Sequence, residues 1–186
     1  MTTQTQRRLN DQHKKDTWFY LRSKGQTYFI LLADLIKTYG SSVLDVGCGE
    51  ALVLKHLPKD FQYTGIDLSD FIITRINIKN NSRNTCFYIS DMFKPNVMGW
   101  YDVILFAGAF TILSKEEIHK LVKYYANRFK PNYILIADIK QVDLSLVEKN
   151  FDVVKKEVIN FNFIKAPIPV GTPEQINNRQ ILLIKV

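Results

Sequence analysis

A short apolar run that leads directly into two glycines constrains this chain more than any other stretch. Residues 43–46 contain two valines and a leucine, which favour a buried strand, and Gly47 and Gly49 follow at once. Glycine lets the backbone turn tightly and approach a ligand with no Cβ in the way. Residues 51–57 have the apolar spacing of a helix that begins where the turn ends. A strand, a bare turn and a helix N-terminus together predict a nucleotide-binding pocket in an α/β protein.

The spacing of the glycines separates two kinds of cofactor. A dinucleotide fingerprint reads G-x-G-x-x-G, and here its third glycine position holds Leu52. A carboxylate, Asp45, stands just before the turn, and a small residue, Ala51, closes it. This pattern resembles the first motif, D/E-x-G-x-G-x-G, of the class I S-adenosylmethionine-dependent methyltransferases. A carboxylate suits a cofactor that carries an ammonium and a sulfonium and no phosphate.

The rest of the chain alternates strands with helices, which predicts a doubly wound sheet. The apolar runs predict strands over 43–46, 61–67, 85–89, 101–107, 133–138, 151–163 and 179–186, and helices over 11–22, 26–39, 70–78, 114–129 and 144–149. The resemblance implies an α/β, Rossmann-like fold with a seven-stranded sheet, mostly parallel, whose last strand is antiparallel, plus N-terminal helices. We expect a flexible N-terminus over 1–10 and a single methyltransferase domain over 11–186, of which 11–40 form a helical cap.

The resemblance assigns cofactor contacts to the ends of successive strands. Asp67 ends the second strand about 20 residues after the glycine turn, where an acidic residue accepts both ribose hydroxyls. Leu68 would then lie against the adenine, Asp91 would accept from its 6-amino group, and the backbone N–H of Met92 would reach a ring nitrogen. The full set of expected S-adenosylmethionine contacts is Asp45, Gly47, Cys48, Gly49, Asp67, Leu68, Asp91, Met92 and Phe106.

The end of the fourth strand bears on the methyl acceptor. One large group of DNA and protein methyltransferases carries N/D-P-P-Y/F there, whereas residues 107–110 of this chain read Ala-Gly-Ala-Phe. The sequence therefore favours transfer to an oxygen or nitrogen of a small molecule, such as a sugar or another secondary metabolite. Two alternatives stay open: methylation of a protein or RNA, and a non-catalytic S-adenosylmethionine-binding partner subunit.

Methyl transfer from a sulfonium depends mainly on alignment, so a base is needed only if the acceptor must lose a proton. Asp138 ends the fifth strand, where the acceptor should lie, and is the first candidate for a base or acceptor anchor. Tyr20 and His13 are further catalytic candidates on the N-terminal segment. The aromatic residues 18–20 could form a lid over the acceptor, or could simply pack on the sheet.

The net charge and the cysteine content limit which partners and which cellular compartment we expect. The net charge is +7, but the basic residues are scattered, with pairs at 7–8, 14–15 and 155–156 as the densest groups. A solvated basic surface that attracts an anionic small substrate is favoured over a nucleic-acid interface. The two cysteines lie far apart and match no metal spacing, and no signal peptide or long apolar run is evident. We therefore expect a cytoplasmic monomer or homodimer with no metal and no membrane contact.

Overall fold

The computed structural model describes residues 3–15, 26–79, 84–161 and 177–186. These residues form a seven-stranded sheet in the order β3-β2-β1-β4-β5-β7-β6. The strands are β1 Ser42–Val46, β2 Gln62–Asp67, β3 Thr85–Ile89, β4 Val103–Ala107, β5 Tyr133–Ile139, β6 Asp152–Asn160 and β7 Asn178–Lys185. The first five pair in parallel, and β7 runs antiparallel to both β5 and β6. The predicted α/β, Rossmann-like sheet with an antiparallel last strand is confirmed.

The helices pack on both faces of this sheet. They are α1 Thr3–Lys14, α2 Gln26–Tyr39, α3 Asp70–Lys79, α4 Lys115–Phe129 and α5 Ser145–Asn150. One buried core joins α2 and α3 to the sheet, and a second lies under α4 and α5 on the other face. Ser114 and Glu117 form the reciprocal hydrogen bonds of a capping box at the start of α4. No described helix is long and apolar enough to cross a bilayer.

Asp102 ties the amino ends of two strands together below the site. Its Oδ2 accepts hydrogen bonds from the backbone N–H and the hydroxyl of both Ser41 and Ser42, at 2.8–3.1 Å. Ser42 Oγ in turn accepts from the backbone N–H of Asp102 at 2.8 Å. A Cβ at Gly40 would overlap the Cβ of Asp102, so the approach requires glycine. These hydrogen bonds hold β4 beside β1 and thereby align the carboxyl ends of the two strands.

Two local predictions differ from the structure. The polar residues 1–10 were expected to be flexible, but α1 begins at Thr3. The predicted helix over 11–22 ends at Lys14 as far as the described residues reach, since 16–25 lie outside them.

The helix expected after the glycine turn is only a 3-10 helix, Leu52–His56. Ala51 before it is left-handed, and Leu57 after it is extended, as the residue before Pro58 should be. The helix after the turn is therefore too short for its macrodipole to contribute to ligand binding.

Candidate cofactor and acceptor site

The glycine turn has a backbone that explains its sequence. Gly47, Gly49 and Ala51 all have positive φ, at 75°, 49° and 52°. Glycine adopts this conformation without strain, and alanine does so at a modest cost, so alternate small residues are required by the backbone itself. The N–H groups of Gly47 and Cys48 donate to the carbonyl of Ile66 at 2.8 and 3.0 Å. The turn is thus fixed to the end of β2.

Asp67 connects that turn to the start of α3. Its Oδ2 accepts from the N–H of Gly49 at 3.0 Å, and its Oδ1 accepts from the N–H of Ser69 at 2.8 Å. The residue is only 9% exposed. A carboxylate has about four lone-pair positions, so each oxygen keeps capacity for another donor. Asp67 could therefore hold a pair of ribose hydroxyls while it orders the backbone on both sides.

Asp45 lies beneath the turn, in the middle of the sheet. It is 3% exposed, and its Oδ2 accepts from the hydroxyl of Tyr63 at 2.5 Å. No described residue donates to its Oδ1. Burial raises the pKa of Asp45 to about 7, against the opposing effect of the Tyr63 hydrogen bond, and Asp67 raises it further. The Tyr63 contact was missed from sequence, although pairing of Val43 with Tyr63 would have placed Tyr63 and Asp45 on one face.

This geometry fits the cofactor that the resemblance implies. Oδ1 of Asp45 is buried with no described donor, and it lies under the turn that contains Gly47 and Gly49. Such an oxygen is costly to bury alone, and a cationic ligand group or an ordered water would satisfy it. The Cys48 side chain is buried, and burial raises the pKa of its thiol well above the ordinary value, so a cofactor contact at this residue would have to use the main chain. The residues present therefore fit S-adenosylmethionine better than a pyrophosphate.

The expected adenine contacts lie together at the carboxyl ends of β2 and β3. Asp91 Oδ1 accepts from the N–H of Phe93 at 2.9 Å, which fixes the turn that contains Met92. The carbonyl of Met92 accepts from the hydroxyl of Tyr125 at 2.9 Å. Leu68, which directly follows Asp67 at the end of β2, is half-buried. The assignment of these residues to the adenine stays a prediction.

Phe106 does not offer its side chain to this site. The ring is fully buried, with its centroid 4.8 Å from that of Phe110 and 5.1 Å from that of Tyr125. It belongs to the core beneath α4, because residues 104 and 106 face that side of β4. A cofactor contact at Phe106 would therefore have to use the main chain, and the assignment of this residue to the cofactor stays a prediction.

Asp138 anchors the loop after β4. It is fully buried, and its Oδ2 accepts from the N–H of Phe110 at 2.9 Å. Its Oδ1 accepts from the N–H of Ile139 at 2.8 Å and from the hydroxyl of Thr111 at 3.3 Å. Burial raises the pKa of Asp138, while these hydrogen bonds and Arg179 oppose the shift. Three donors on a buried carboxylate suit a loop anchor better than an exposed base.

The carboxyl ends of β4 and β5 border open space. Gly108 has φ of 70°, and a Cβ there would meet nothing within 4 Å. Its N–H and the hydroxyl of Tyr28 both donate to the carbonyl of Ala137, at 2.8 and 3.0 Å. A groove of about 350 Å³ is lined by residues at and after the carboxyl ends of these two strands, among them Phe110, Thr111, Ser114, Ile139 and Val142.

The remaining catalytic candidates are only partly placed. Tyr20, with the rest of 18–20, lies outside the described residues. The backbone of His13 is in α1, whereas its side chain is not described. That helix packs along α3, near β2 and β3. Lys14 Nζ, for example, lies 5.8 Å from the centroid of the Phe71 ring at the start of α3. The described residues contain no cluster of three or more potential metal ligands.

Comparison with known proteins agrees with this geometry. A family model described as a methyltransferase domain matches residues 43–132, from β1 to the turn before β5. No curated protein matches.

Similar solved structures share the fold over most of the chain. Magnesium protoporphyrin IX methyltransferase from Synechocystis PCC 6803, with bound S-adenosylhomocysteine, has a TM-score of 0.72 and 12% identity, covering 97% of this chain and 99% of that one. The N-methyltransferase NodS from Bradyrhizobium japonicum WM9, in complex with S-adenosylhomocysteine, has a TM-score of 0.65 and 12% identity, covering 89% and 87%. TehB from Haemophilus influenzae has a TM-score of 0.64 and 18% identity, covering 86% and 61%. At these identities the likeness establishes the fold alone.

Proposed function

The chain belongs to the class I S-adenosylmethionine-dependent methyltransferases, and from that premise we propose that it methylates an oxygen or nitrogen of a small molecule. The observation that carries this proposal is the groove of about 350 Å³ at the carboxyl ends of β4 and β5. Small-molecule sites are commonly concave pockets of about 300–1,000 Å³. Phe110 and Thr111 of the loop after β4 line one side of the groove, and Ile139 and Val142 line another.

The order of the strands supports this placement of the acceptor. The strand order reverses between β1 and β4: β2 and β3 lie to one side of β1, and β4 and β5 lie to the other. Ligands of open α/β sheets bind at such a switch point. With Asp67 at the end of β2 and the glycine turn at the end of β1, the adenosine half would lie towards β2 and β3. The amino-acid half would extend towards β4. The acceptor would then meet the methyl group above the ends of β4 and β5.

Different residues would bind different parts of the cofactor. Asp67 would hold the ribose hydroxyls, and Asp91 with Met92 the adenine. Asp45, under the turn, would supply negative charge close to the cationic part of the cofactor. When bound, S-adenosylmethionine supplies an electrophilic methyl group on its sulfonium. The protein then contributes orientation and exclusion of water, which suffice for acceptors that are already good nucleophiles.

Asp138 would act through the loop that it holds. Its hydrogen bonds to Phe110 and Thr111 fix one wall of the groove. We infer that it is a positioning residue, and that any acceptor proton leaves to solvent or to a side chain that the structure does not describe. Tyr20 and His13 stay candidates for that group.

A second acceptor class has one observation in its favour. The net charge of +7 would draw RNA as well as an anionic metabolite. Against RNA stands the scatter of the basic residues in pairs, and the Ala-Gly-Ala-Phe sequence over 107–110 does not support the nucleobase mode that N/D-P-P-Y/F motifs serve.

A turnover screen would decide between these acceptors. The protein is incubated with methyl-labelled S-adenosylmethionine and, separately, with a metabolite extract, total RNA and total protein. We expect label in the low-molecular-mass fraction. Label found only in RNA or protein would overturn the small-molecule proposal. The Asp67→Ala variant, which we expect to bind the cofactor poorly, serves as the control for contaminating activity.

A further inference from the structure

Asn10 of α1 holds the chain segment that follows β2. Its Oδ1 accepts from the hydroxyl of Ser69 at 2.7 Å, and its Nδ2 donates to Oδ1 of Asp70 at 2.6 Å. Both groups of one amide are therefore used on two consecutive residues about 60 positions away in the chain. Ser69 is fully buried in this arrangement. Such paired use of an amide fixes the orientation of its partners as well as their distance.

Two further contacts come from the same face of α1. Gln6 Nε2 donates to the carbonyl of Leu68 at 3.0 Å, and Lys14 Nζ lies 5.8 Å from the centroid of the Phe71 ring. Gln6, Asn10 and Lys14 are spaced four residues apart, so they form one stripe on the helix. This stripe contacts four successive residues, 68–71, immediately after Asp67.

Ser69 relays this contact to Asp67. The N–H of Ser69 donates to Oδ1 of Asp67 at 2.8 Å, and the Ser69 hydroxyl accepts from the N–H of Ile72 at 3.3 Å as a cap for α3. Oδ2 of Asp67 accepts from Gly49 in the glycine turn. A continuous chain of hydrogen bonds therefore runs from Asn10 through Ser69 and Asp67 to the turn.

We propose that Asn10 is a positioning residue for the adenosine half of the cofactor. By fixing Ser69 and Asp70, it holds the carboxylate of Asp67 in place for the ribose, and docking of α1 and binding of the cofactor strengthen each other. The proposal rests on the assignment of Asp67 to the ribose in the proposed function. In this proposal α1 acts at the adenosine edge of the site, whereas the lid expected of residues 18–20 falls outside the described residues.

The first test measures affinity for two ligands that share adenosine. S-adenosylhomocysteine and 5′-methylthioadenosine, which lacks the amino-acid part, are titrated by calorimetry into wild type, Asn10→Ala and Arg8→Ala. Arg8 is exposed on the same helix and is the matched control. We expect Asn10→Ala to weaken both ligands by a similar factor, about three- to tenfold, and Arg8→Ala to change neither.

A double-mutant cycle tests the contact with Asp70 directly. Asn10→Asp sets two carboxylates against each other and should weaken S-adenosylhomocysteine, whereas Asp70→Asn leaves an amide oxygen that still accepts from Asn10 and should change the affinity less. Combining them restores one amide and one carboxylate in exchanged positions. We expect the double variant to bind more tightly than Asn10→Asp alone, which a loss of general helix stability would not produce.

Proteolysis tests the reciprocal effect. If docked α1 raises cofactor affinity, bound cofactor must stabilise docked α1 by the same factor. Trypsin cleavage after the exposed Arg7 and Arg8 should therefore slow several-fold with saturating S-adenosylhomocysteine in wild type. Asn10→Ala should be cleaved faster in the absence of ligand.

The outcomes separate this proposal from the one on which it rests. If Asp67→Ala leaves the affinity for 5′-methylthioadenosine unchanged, the ribose assignment is wrong whatever Asn10 does. If Asp67→Ala weakens binding and Asn10→Ala does not, or if ligand gives α1 no protection, Asn10 only packs the helix and the proposal is overturned.

Discussion

The hydroxyl of Tyr63 donates a hydrogen bond of 2.5 Å to Oδ2 of Asp45, two buried side chains on adjacent strands beneath the glycine turn. The register of β1 and β2 places them there, because Val43 pairs with Tyr63 and Asp45 lies two residues further along the same face. Cys48 and Asp67 are the other titratable groups that act on this pair. The carboxyl of Asp45 is thus buried with a single described donor.

Asp45 should make stability depend on pH near neutrality. Burial raises its pKa to about 7, whereas the unfolded value is about 3.9. Between these values the folded protein binds the proton more tightly, so the contribution to stability is present at low pH and lost as pH rises through 7. Urea unfolding of wild type and Asp45→Asn between about pH 5 and pH 8 measures this. We expect wild type to lose stability relative to the variant as pH rises.

The same titration should appear in cofactor binding. Ionised Asp45 attracts a cation, so affinity for S-adenosylmethionine should rise with pH through about 7 in wild type. S-adenosylhomocysteine has lost the sulfonium charge and should respond less, and Asp45→Asn should respond least. Equal pH profiles for both ligands in both proteins would show that Asp45 does not sense the charge of the cofactor.

Asp67→Ala should weaken cofactor binding more than any other single change in the site. Loss of two charge-assisted hydrogen bonds to the ribose, on the order of 2–4 kcal/mol together, corresponds to an affinity loss of about 30-fold or more. Calorimetry with S-adenosylhomocysteine measures it. An unchanged dissociation constant would place the ribose elsewhere.

The same change should also lower the stability of the ligand-free protein. In the structure the carboxylate also accepts from the backbone of Gly49 and Ser69. We therefore expect a loss of about 2 kcal/mol, and a melting temperature lower by about 4–8 °C. Asp67→Asn, which keeps one acceptor oxygen, should lose less.

Asp102 should matter for stability and not for binding. Its carboxylate accepts four hydrogen bonds from Ser41 and Ser42, far from the carboxyl ends of the strands. Asp102→Ala should cost about 2–3 kcal/mol in urea unfolding and leave the affinity for S-adenosylhomocysteine unchanged. Asp60→Ala, at an exposed turn, should change neither.

The pKa of Asp102 adds a check on the same residue. The hydrogen bonds, that from the Ser41 backbone first, lower this pKa below its ordinary value. Its stabilisation should therefore be complete above about pH 4 and fade at more acid pH as the folded carboxyl becomes protonated. The difference in stability between wild type and Asp102→Ala should shrink accordingly. A constant difference down to about pH 2 would contradict the lowered pKa.

The sheet could be predicted because its signals are local. Apolar runs ended by glycine or aspartate predict the first five strands to within two residues of the observed bounds. The tight turn predicted at Gly47 and Gly49 is likewise present, with positive φ at both glycines. These features depend on short stretches of chain, and hydrophobic periodicity describes such stretches well.

What the sequence did not reveal depends on contacts between distant residues. Residues 3–10 are polar and have no apolar face, so nothing local predicts a helix; its contacts with residues 68–71 exist only in the folded chain. The Tyr63 contact of Asp45 and the serine contacts of Asp102 require the register of paired strands. The side of the sheet that receives the Phe106 ring likewise depends on how β4 is placed between its neighbours.

Asp138 is the residue for which structure and sequence favour different roles. As the end of the fifth strand it was a candidate base, yet it is fully buried and accepts from Phe110, Thr111 and Ile139. A base must exchange its proton with the acceptor, and a carboxylate enclosed by three donors is poorly placed to do so. An anchor needs only to keep its acceptor oxygens.

Two variants distinguish a base from an anchor, with the acceptor identified by the turnover screen. Asp138→Asn replaces one acceptor oxygen by a donor facing a backbone N–H, so we expect lower stability, a higher KM for the acceptor and a lower rate. The affinity for S-adenosylhomocysteine should change little. Thr111→Val removes only the 3.3 Å hydrogen bond and leaves the carboxylate intact. An anchor predicts the same defects in weaker form, whereas a base predicts a nearly normal rate.

The pH dependence of the rate distinguishes a base from an anchor at Asp138. A base at Asp138 would make the wild-type rate fall on the acid side of its raised pKa, and Asp138→Asn would abolish that limb. We expect instead that Asp138→Asn lowers the whole profile without changing its shape, because an anchor acts on the geometry of the groove at every pH. An acid limb that is present in wild type and Thr111→Val but absent in Asp138→Asn would restore Asp138 as the base and refute its role as an anchor.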